Sequence, residues 1–340
     1  MKKLVHLALL ALALTACTTD TSFPVASTPL PADTRAAFDS VFLDVQGVSV
    51  CELHALVVAQ HDSIIYERYA PGYSRDQLHI CWSASKTFTA AAVGLAVKDG
   101  LVDIDTPIVR YFPQDILPDT LSPELSVLTL RHLLTMSSGW EAPDLTTRIR
   151  GGAAFDAVHE AFFSLPFDHQ PGTHWRYNNW DSYMAAAVVQ QVTGRSLADY
   201  LEERIFLPIG IRDYIYEVDA CGRNIGASGL YLSPESLLRF GQLLLHEGNW
   251  QGRQLLDSEW VRQMLSCQQL QPTVRPESDW HCGYGYQIWM CHNGYARIDG
   301  MWGQYVIIMP DKDAVAVMNS LCTERTVQMD SFWQHVLNKL

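Results

Sequence analysis

Cys81-Trp82-Ser83-Ala84-Ser85-Lys86-Thr87-Phe88-Thr89 runs without a break into Ala90-Ala91-Ala92-Val93-Gly94-Leu95-Ala96-Val97, and the reading of the whole chain turns on it. From Thr87 to Val97 there is no charge, so the helix this stretch predicts has no solvent face and must be buried. If the helix opens at Ser83, Lys86 lies one turn on, on the same face and within reach of the Ser83 hydroxyl. The helix N-terminus adds a positive field that favours negative charge on an attacking oxygen. Four residues then offer a nucleophile, its proton acceptor and half of an oxyanion hole.

Spacing alone leaves a second job open for Ser83, that of helix N-cap, which Ser often takes ahead of an apolar run. Lys86 favours catalysis. The chain has six lysines, and only Lys86 and Lys98 fall between residues 4 and 311. A lysine placed ahead of an almost uncharged helix is desolvated, which lowers its pKa in the direction a general base requires.

The N-terminus reads as a targeting segment. Lys2 and Lys3 precede an apolar core from Leu4 to Leu14, too short to span a bilayer as a mature helix. Leu14-Thr15-Ala16-Cys17 resembles the lipobox of bacterial lipoproteins, in which the Cys is lipidated and becomes the new N-terminus; ordinary secretory cleavage near Ala16 is the alternative. Thr18, where some lipoproteins carry Asp, resembles the outer-membrane type, facing the periplasm. Three segments are expected: a signal peptide over 1–16, lipidated Cys17 with a flexible Thr/Ser/Pro/Ala tether over 17–35, and one folded domain over 36–340.

The formal net charge of −13 becomes −15 once Lys2 and Lys3 are removed. So acidic a surface argues against nucleic acid and against adhesion to anionic lipid, leaving Cys17 as the only membrane attachment. Seven cysteines remain beyond Cys17, an odd number whose pairing the sequence does not give; buried free thiols are expected for most. No spacing matches a zinc site: C-x-x-C is absent and His246-Glu247 lacks a second His. Neither a metal nor an organic cofactor is expected.

Ala55–Ala59 and Ser63–Glu67, split by Gln60-His61-Asp62, predict a hairpin. Helices are expected over 83–98, 130–136, 182–192, 196–206, 234–246 and 326–337. Strands are expected over 285–290, 304–309 and 314–318. Strands at both ends with helices between predict an α+β fold, one antiparallel sheet built from the two termini, flanked by helices and carrying an inserted mainly helical subdomain.

These motifs together resemble class C β-lactamases and their penicillin-binding and esterase relatives. Ser83-Ala84-Ser85-Lys86-Thr87-Phe88-Thr89 is similar to the nucleophile motif of that family, and Thr129 to Gly139 to the segment after its first helical pair. Tyr177-Asn178-Asn179 resembles its Tyr-x-Asn motif. Val192-Thr193-Gly194 and Ile205 to Ile211 fall in familiar positions, so the likeness runs from about residue 50 to 325. It implies the β-lactamase/transpeptidase-like fold and a Ser acyl-enzyme, with Ser83, Lys86 and Tyr177 catalytic.

A phenol needs adjacent positive charge to lose its proton near neutrality, and Lys86 is expected to supply it to Tyr177. The other reading of Tyr177 is a core aromatic with a satisfied hydroxyl. Asn179 matches the third place of the motif, but Tyr183 comes one residue late, so Asn178 competes for the inward amide. The Lys-Thr-Gly or His-x-Gly strand of the family has one match, Ile298-Asp299-Gly300. Gly300 is expected to leave room for substrate, and the Met301 N–H to join that of Ser83 as oxyanion hole.

Ile298 replaces the cationic member, and alternation turns Arg297 to the opposite face, so nothing in the sequence evidently grips a substrate carboxylate. Gly300-Met301-Trp302-Gly303-Gln304 looks more like the version found in esterases and nylon-oligomer amidases. The expected substrate is therefore a small-molecule or peptide ester or amide. The alternatives are D,D-peptidase or β-lactamase activity, and a catalytically silent cell-wall-binding protein. Gly-x-Ser-x-Gly is absent, which argues against an α/β-hydrolase. Trp140, Trp175, Trp180, Trp289 and Trp302 hint at an aromatic cleft, although burial is the commoner fate of such residues.

Overall fold

The computed structural model describes residues 22–141, 161–275 and 277–340. The signal peptide expected over 1–16 and the lipidation site Cys17 lie outside the described residues. Among the described residues no helix is long and apolar enough to cross a membrane.

The expected hairpin forms from β1 (Cys51–Gln60) and β2 (Ser63–Tyr69). It turns through His61 and Asp62, both left-handed at φ 50° and 56°, the conformation that a two-residue hairpin turn demands. The C-terminal part supplies β3 (Trp289–Met290), β4 (Ala296–Gly300), β5 (Gln304–Met309) and β6 (Ala314–Cys322). All pairings are antiparallel and the order is β2-β1-β6-β5-β4-β3, so the two ends of the chain do share one sheet. Cys51 and Cys322 face each other in the β1/β6 register and form a disulfide. Of the free cysteines, Cys81 and Cys291 are buried, Cys282 is half-buried, and Cys221 and Cys267 are exposed, so buried thiols are not the rule among them.

Helices cover both faces of the sheet. On one face α1 (Ala32–Gln46) sends Phe38 and Phe42 into a core shared with Phe332 and Trp333 of the C-terminal helix, Arg325–His335. On the other face lie α2 (Ser85–Lys98), α3 (Leu130–Leu134), α4 (Asn179–Thr193) and α5 (Pro234–Leu245). The C-terminal helix is α6. Gly241 brings α5 close to the sheet: a β-carbon there would lie 2.6 Å from Val315 and 2.7 Å from Val306. α2 is buried from Ser85 to Ala96, as its lack of charge requires.

Several expectations are corrected. The 17–35 segment is no flexible tether over its described part. Phe23 is buried, Ala26 N–H and Ile64 N–H exchange hydrogen bonds with Ile64 and Pro24 carbonyls, and α1 already begins at Ala32. The folded domain thus starts before residue 36.

The strand expected over 285–290 shrinks to Trp289–Met290, because Gln287 is left-handed (φ 57°) and its side chain is used as a clamp. Its amide nitrogen donates to the Leu133 and Leu134 carbonyls, while its backbone carbonyl accepts from Thr87. The helix expected over 196–206 is α-helical only over Leu197–Leu201 and widens to a π-turn at Glu202–Phe206.

Candidate active site

Ser83 does not open α2. It sits in the middle of a 3₁₀ turn, Trp82–Ala84, and the α-helix begins at Ser85 with Ala84 at the N-cap and no side-chain cap. The N-cap reading of Ser83 is therefore corrected. Trp82 is left-handed at φ 48°, a conformation a bulky residue keeps only where its surroundings hold it. The hold is visible: Cys81 N–H donates to the Leu230 carbonyl at 2.8 Å, and Ser85 Oγ donates to the Trp82 carbonyl at 2.6 Å. Trp82 also meets Trp302 edge-to-face at 5.0 Å between ring centres.

Gly300 completes this arrangement in a way the sequence did not suggest. A β-carbon on it would lie 2.1 Å from the Cys81 carbonyl oxygen. The space freed by glycine is filled by the turn that carries Ser83, and not by substrate. β4 is thereby pressed against that turn, which places Met301 and Ser83 on the rim of one cleft.

Lys86 is almost wholly buried beneath Ser83. Its Nζ lies 3.3 Å from Ser83 Oγ, 2.6 Å from Asn179 Oδ1 and 2.7 Å from the Ala227 carbonyl oxygen. Two of these partners are carbonyl oxygens, which only accept hydrogen bonds. Ser83 is a hydroxyl and can also give. A neutral amine that donates to Asn179 and Ala227 turns a lone pair towards the serine proton, and a protonated one donates to all three. The same geometry serves both states, as a proton acceptor needs.

The choice between the two asparagines is now plain. Asn178 is the N-cap of α4: its side chain accepts from Asp181 N–H at 2.8 Å and donates to the Arg176 carbonyl at 2.9 Å. Asn179, the first residue of the helix, is the one turned to Lys86.

Tyr177 borders the same cleft as Ser83, whose hydroxyl favours the ionised phenol, and Lys86 Nζ lies 5.3 Å from its ring centre. It is not a core aromatic of the ordinary kind, since it also borders the cleft. The expected lowering of its pKa is not found. Burial raises it well above the usual phenol value, the nearby Ser83 hydroxyl offsets only part of this, and Asp299 adds to the rise. Tyr177 therefore holds its proton at neutral pH.

Ser83, Tyr177 and Met301 border a cleft of about 430 Å3 whose walls are aromatic: Trp280, Trp289 and Trp302. Trp140 and Trp180 belong to the buried core, and Trp175 packs on Trp289. Two charged residues also reach the cleft. Asp299 Oδ2 accepts from Arg297 Nη2 at 2.7 Å, from Arg297 Nε at 3.1 Å and from Trp280 Nε1 at 3.2 Å. Arg325, at the start of α6, stacks over Trp280 with its guanidinium 5.3 Å from the ring centre. The reading that no cation meets a substrate carboxylate overlooked Arg325, which arrives from the far end of the chain.

A family model described as "Beta-lactamase" matches residues 44–332. The chain belongs to the β-lactamase family. This β-lactamase-family chain is an enzyme of the serine-hydrolase kind that acts on ester or amide bonds. The 6-aminohexanoate-dimer hydrolase of Paenarthrobacter ureafaciens is 23% identical over 294 residues, 77% of this chain and 71% of that protein. Esterase EstB of Burkholderia gladioli is 27% identical over 215 residues, 57% of this chain and 53% of its own length. The solved D-amino acid amidase of Ochrobactrum anthropi shares the fold, with a TM-score of 0.68 at 19% identity over 90% of this chain and 99% of that one.

The sequence reading of this β-lactamase-family chain missed the Ala227 carbonyl, Asp299 as a cleft residue, and Arg325. A backbone carbonyl leaves no side-chain signature, although the small run Gly226-Ala227-Ser228-Gly229 was a signal that the chain passes close to something there. A β-carbon on Gly226 would sit 2.3 Å from that of Ala186. Among the described residues one set of side chains has the donors to hold a metal, Glu141, His169 and His174, and it lies outside the cleft lining.

Proposed function

We propose that the protein hydrolyses an ester or amide through an acyl-enzyme on Ser83, and that it does so anchored to the outer membrane through lipidated Cys17, facing the periplasm. The observation that carries the catalytic part is the three-way contact of buried Lys86 with Ser83, Asn179 and the Ala227 carbonyl. Ser83 Oγ attacks the carbonyl carbon as its proton passes to Lys86. The N–H groups of Ser83 and Met301 hold the oxyanion. Tyr177, protonated at the outset, gives its proton to the leaving oxygen or nitrogen. In deacylation a water transfers a proton to the Tyr177 phenolate and adds to the acyl carbon. Ser83 leaves with the proton that Lys86 held, and each group returns to its starting state.

An aromatic cleft suits acyl or leaving groups with apolar surface, in keeping with a general esterase or amidase. The anchoring part rests on Leu14-Thr15-Ala16-Cys17, and the Cys51–Cys322 disulfide suits an oxidising compartment. A second reading, action on D-Ala-D-Ala peptides or β-lactams, is favoured by one observation, the Arg325 guanidinium at the cleft.

Ser83→Ala should abolish turnover of a p-nitrophenyl ester while leaving the thermal unfolding transition in place. Retained turnover overturns the assignment. A panel of neutral esters, short amides, D-Ala-D-Ala peptides and a chromogenic cephalosporin then separates the two readings.

A further inference from the structure

Glu141 lies 28 residues ahead of His169, which is five residues ahead of His174, and none of the three figures in the chemistry above. The fold brings one donor atom of each together, all within 4.8 Å of one another. Glu141 Oε1 lies 2.8 Å from His174 Nε2 and 3.8 Å from His169 Nε2. The two imidazoles stack with ring centres 4.1 Å apart, so their Nε2 atoms face the same carboxylate oxygen. The other oxygen is separately employed, with Glu141 Oε2 3.3 Å from Arg176 Nε.

The backbone around the three side chains is built to keep them in place. Asp168 N–H and His169 N–H both donate to the Gly139 carbonyl at 3.0 Å, Gly172 N–H to Ser137 at 2.7 Å, and Arg176 N–H to Met136 at 2.8 Å. Asp168 Oδ2 in turn accepts from Glu141 N–H at 2.9 Å. Two chain segments are thus paired side by side, with the three donors on their shared edge.

We propose that Glu141, His169 and His174 form a binding site for a divalent transition ion of the zinc class. Two imidazole nitrogens and one carboxylate oxygen are the donor set such ions take, with the remaining position open to water. Ligand bonds of about 2 Å require donor atoms roughly 3 to 3.5 Å apart, and each imidazole lone pair lies in its ring plane, so closure on an ion requires the stacked rings to rotate apart until both Nε2 atoms point at it. The ion would fasten Glu141, at the end of the Ser137–Glu141 segment, to His174, three residues ahead of Tyr177. It would act as a clamp on the loop that presents Tyr177, not as a member of the catalytic group. The inference does not depend on which ester or amide is hydrolysed.

The test is titration of the chelator-stripped full chain with ZnCl2, followed by calorimetry and thermal unfolding. Cobalt absorption spectra and the variants His169→Ala, His174→Ala and Glu141→Gln run alongside. One equivalent of zinc is expected to bind and raise Tm. Each variant should weaken binding by more than about tenfold, and the cobalt complex should show no sulfur charge-transfer band. Should a variant fold poorly, protection by zinc of His169 and His174 from diethylpyrocarbonate, mapped by mass spectrometry on the unaltered chain, decides the matter. Absence of binding, binding undiminished in all three variants, a sulfur band, or unprotected histidines overturns the proposal.

Discussion

The backbone of Gly300 passes so close to the Cys81 carbonyl that a β-carbon at 300 would stand 2.1 Å from the oxygen. That contact fixes the distance between β4 and the turn that presents Ser83. Gly300→Ala must push the two apart, since the neighbouring atom is backbone and has no free rotation to yield. A displacement approaching 1 Å at the reacting group costs about a hundredfold in rate. The expected outcome is a loss of that order in kcat together with a lower Tm, read by steady-state kinetics on a p-nitrophenyl ester and by calorimetry. Unchanged kcat would show that the strand and the turn are not mechanically coupled.

Asn178 and Asn179 are neighbours with separate duties, so their alanine variants should part company. Asn179→Ala removes an acceptor from Lys86 Nζ and should lower kcat by on the order of 10² with little change in Tm. Asn178→Ala removes the cap of α4 and should cost about 1 kcal/mol of stability, with kcat within a few-fold of the parent. Reversed phenotypes would mean that the wrong amide has been placed at the lysine.

Asp181 is wholly buried, and neither carboxylate oxygen has a donor in hydrogen-bonding position. Burial pushes its pKa from 3.8 to about 7, an effect that nearby Ser138 and Asn178 only partly offset. The folded state therefore holds this proton more tightly than the unfolded state. Stability from this residue is complete below about pH 3.8, declines as pH rises through the interval to 7, and stays at its lowest above that. Asp181→Asn, which cannot ionise, should raise stability at pH 8 by roughly 1 to 4 kcal/mol and change little near pH 4. Denaturant unfolding at the two pH values checks this, and an equal effect at both would contradict it.

Arg325 reaches the cleft from α6 and brings the cation that the Ile298-Asp299-Gly300 strand lacks. Arg325→Ala should reduce kcat/KM about tenfold or more for substrates carrying a carboxylate next to the scissile bond, the scale of a charge-assisted hydrogen bond. Neutral esters should change less than about twofold. Equal losses on both substrate types would assign Arg325 to packing on Trp280 and not to recognition.

How much of this was legible in the sequence follows from how each part is specified. The Ser83/Lys86 pair is three residues apart on an uncharged run, so local geometry was enough to bring the two together. The hairpin at His61-Asp62 and the strands near the C-terminus carry their own periodicity and turn residues. Tyr177 and Asn179 needed the family resemblance, because their distance from Ser83 in sequence gives no hint of proximity. The pKa of Tyr177 went the other way from expectation because its desolvation by Tyr284 and Trp289 cannot be seen from motif residues alone.

The 22–35 segment was misjudged because Pro, Thr and Ser suggest a solvated chain, whereas buried Phe23, its N–H bond to Glu235 and the backbone bonds of Pro24 and Ala26 to Ile64 anchor it. Arg325, Asp299 and the Glu141, His169 and His174 set are assembled by chain crossings, which spacing rules do not record.

The account stands on Ser83 being the atom that carries the acyl group with Lys86 as its activator, and peptide mapping of a covalent adduct tests this most directly. The full chain treated with a fluorescent alkyl phosphonate should carry one adduct, on the peptide containing Ser83. The Lys86→Ala variant should label at least about a hundredfold more slowly while keeping its unfolding transition. An adduct on a different residue, or labelling that proceeds as fast without Lys86, would contradict the account.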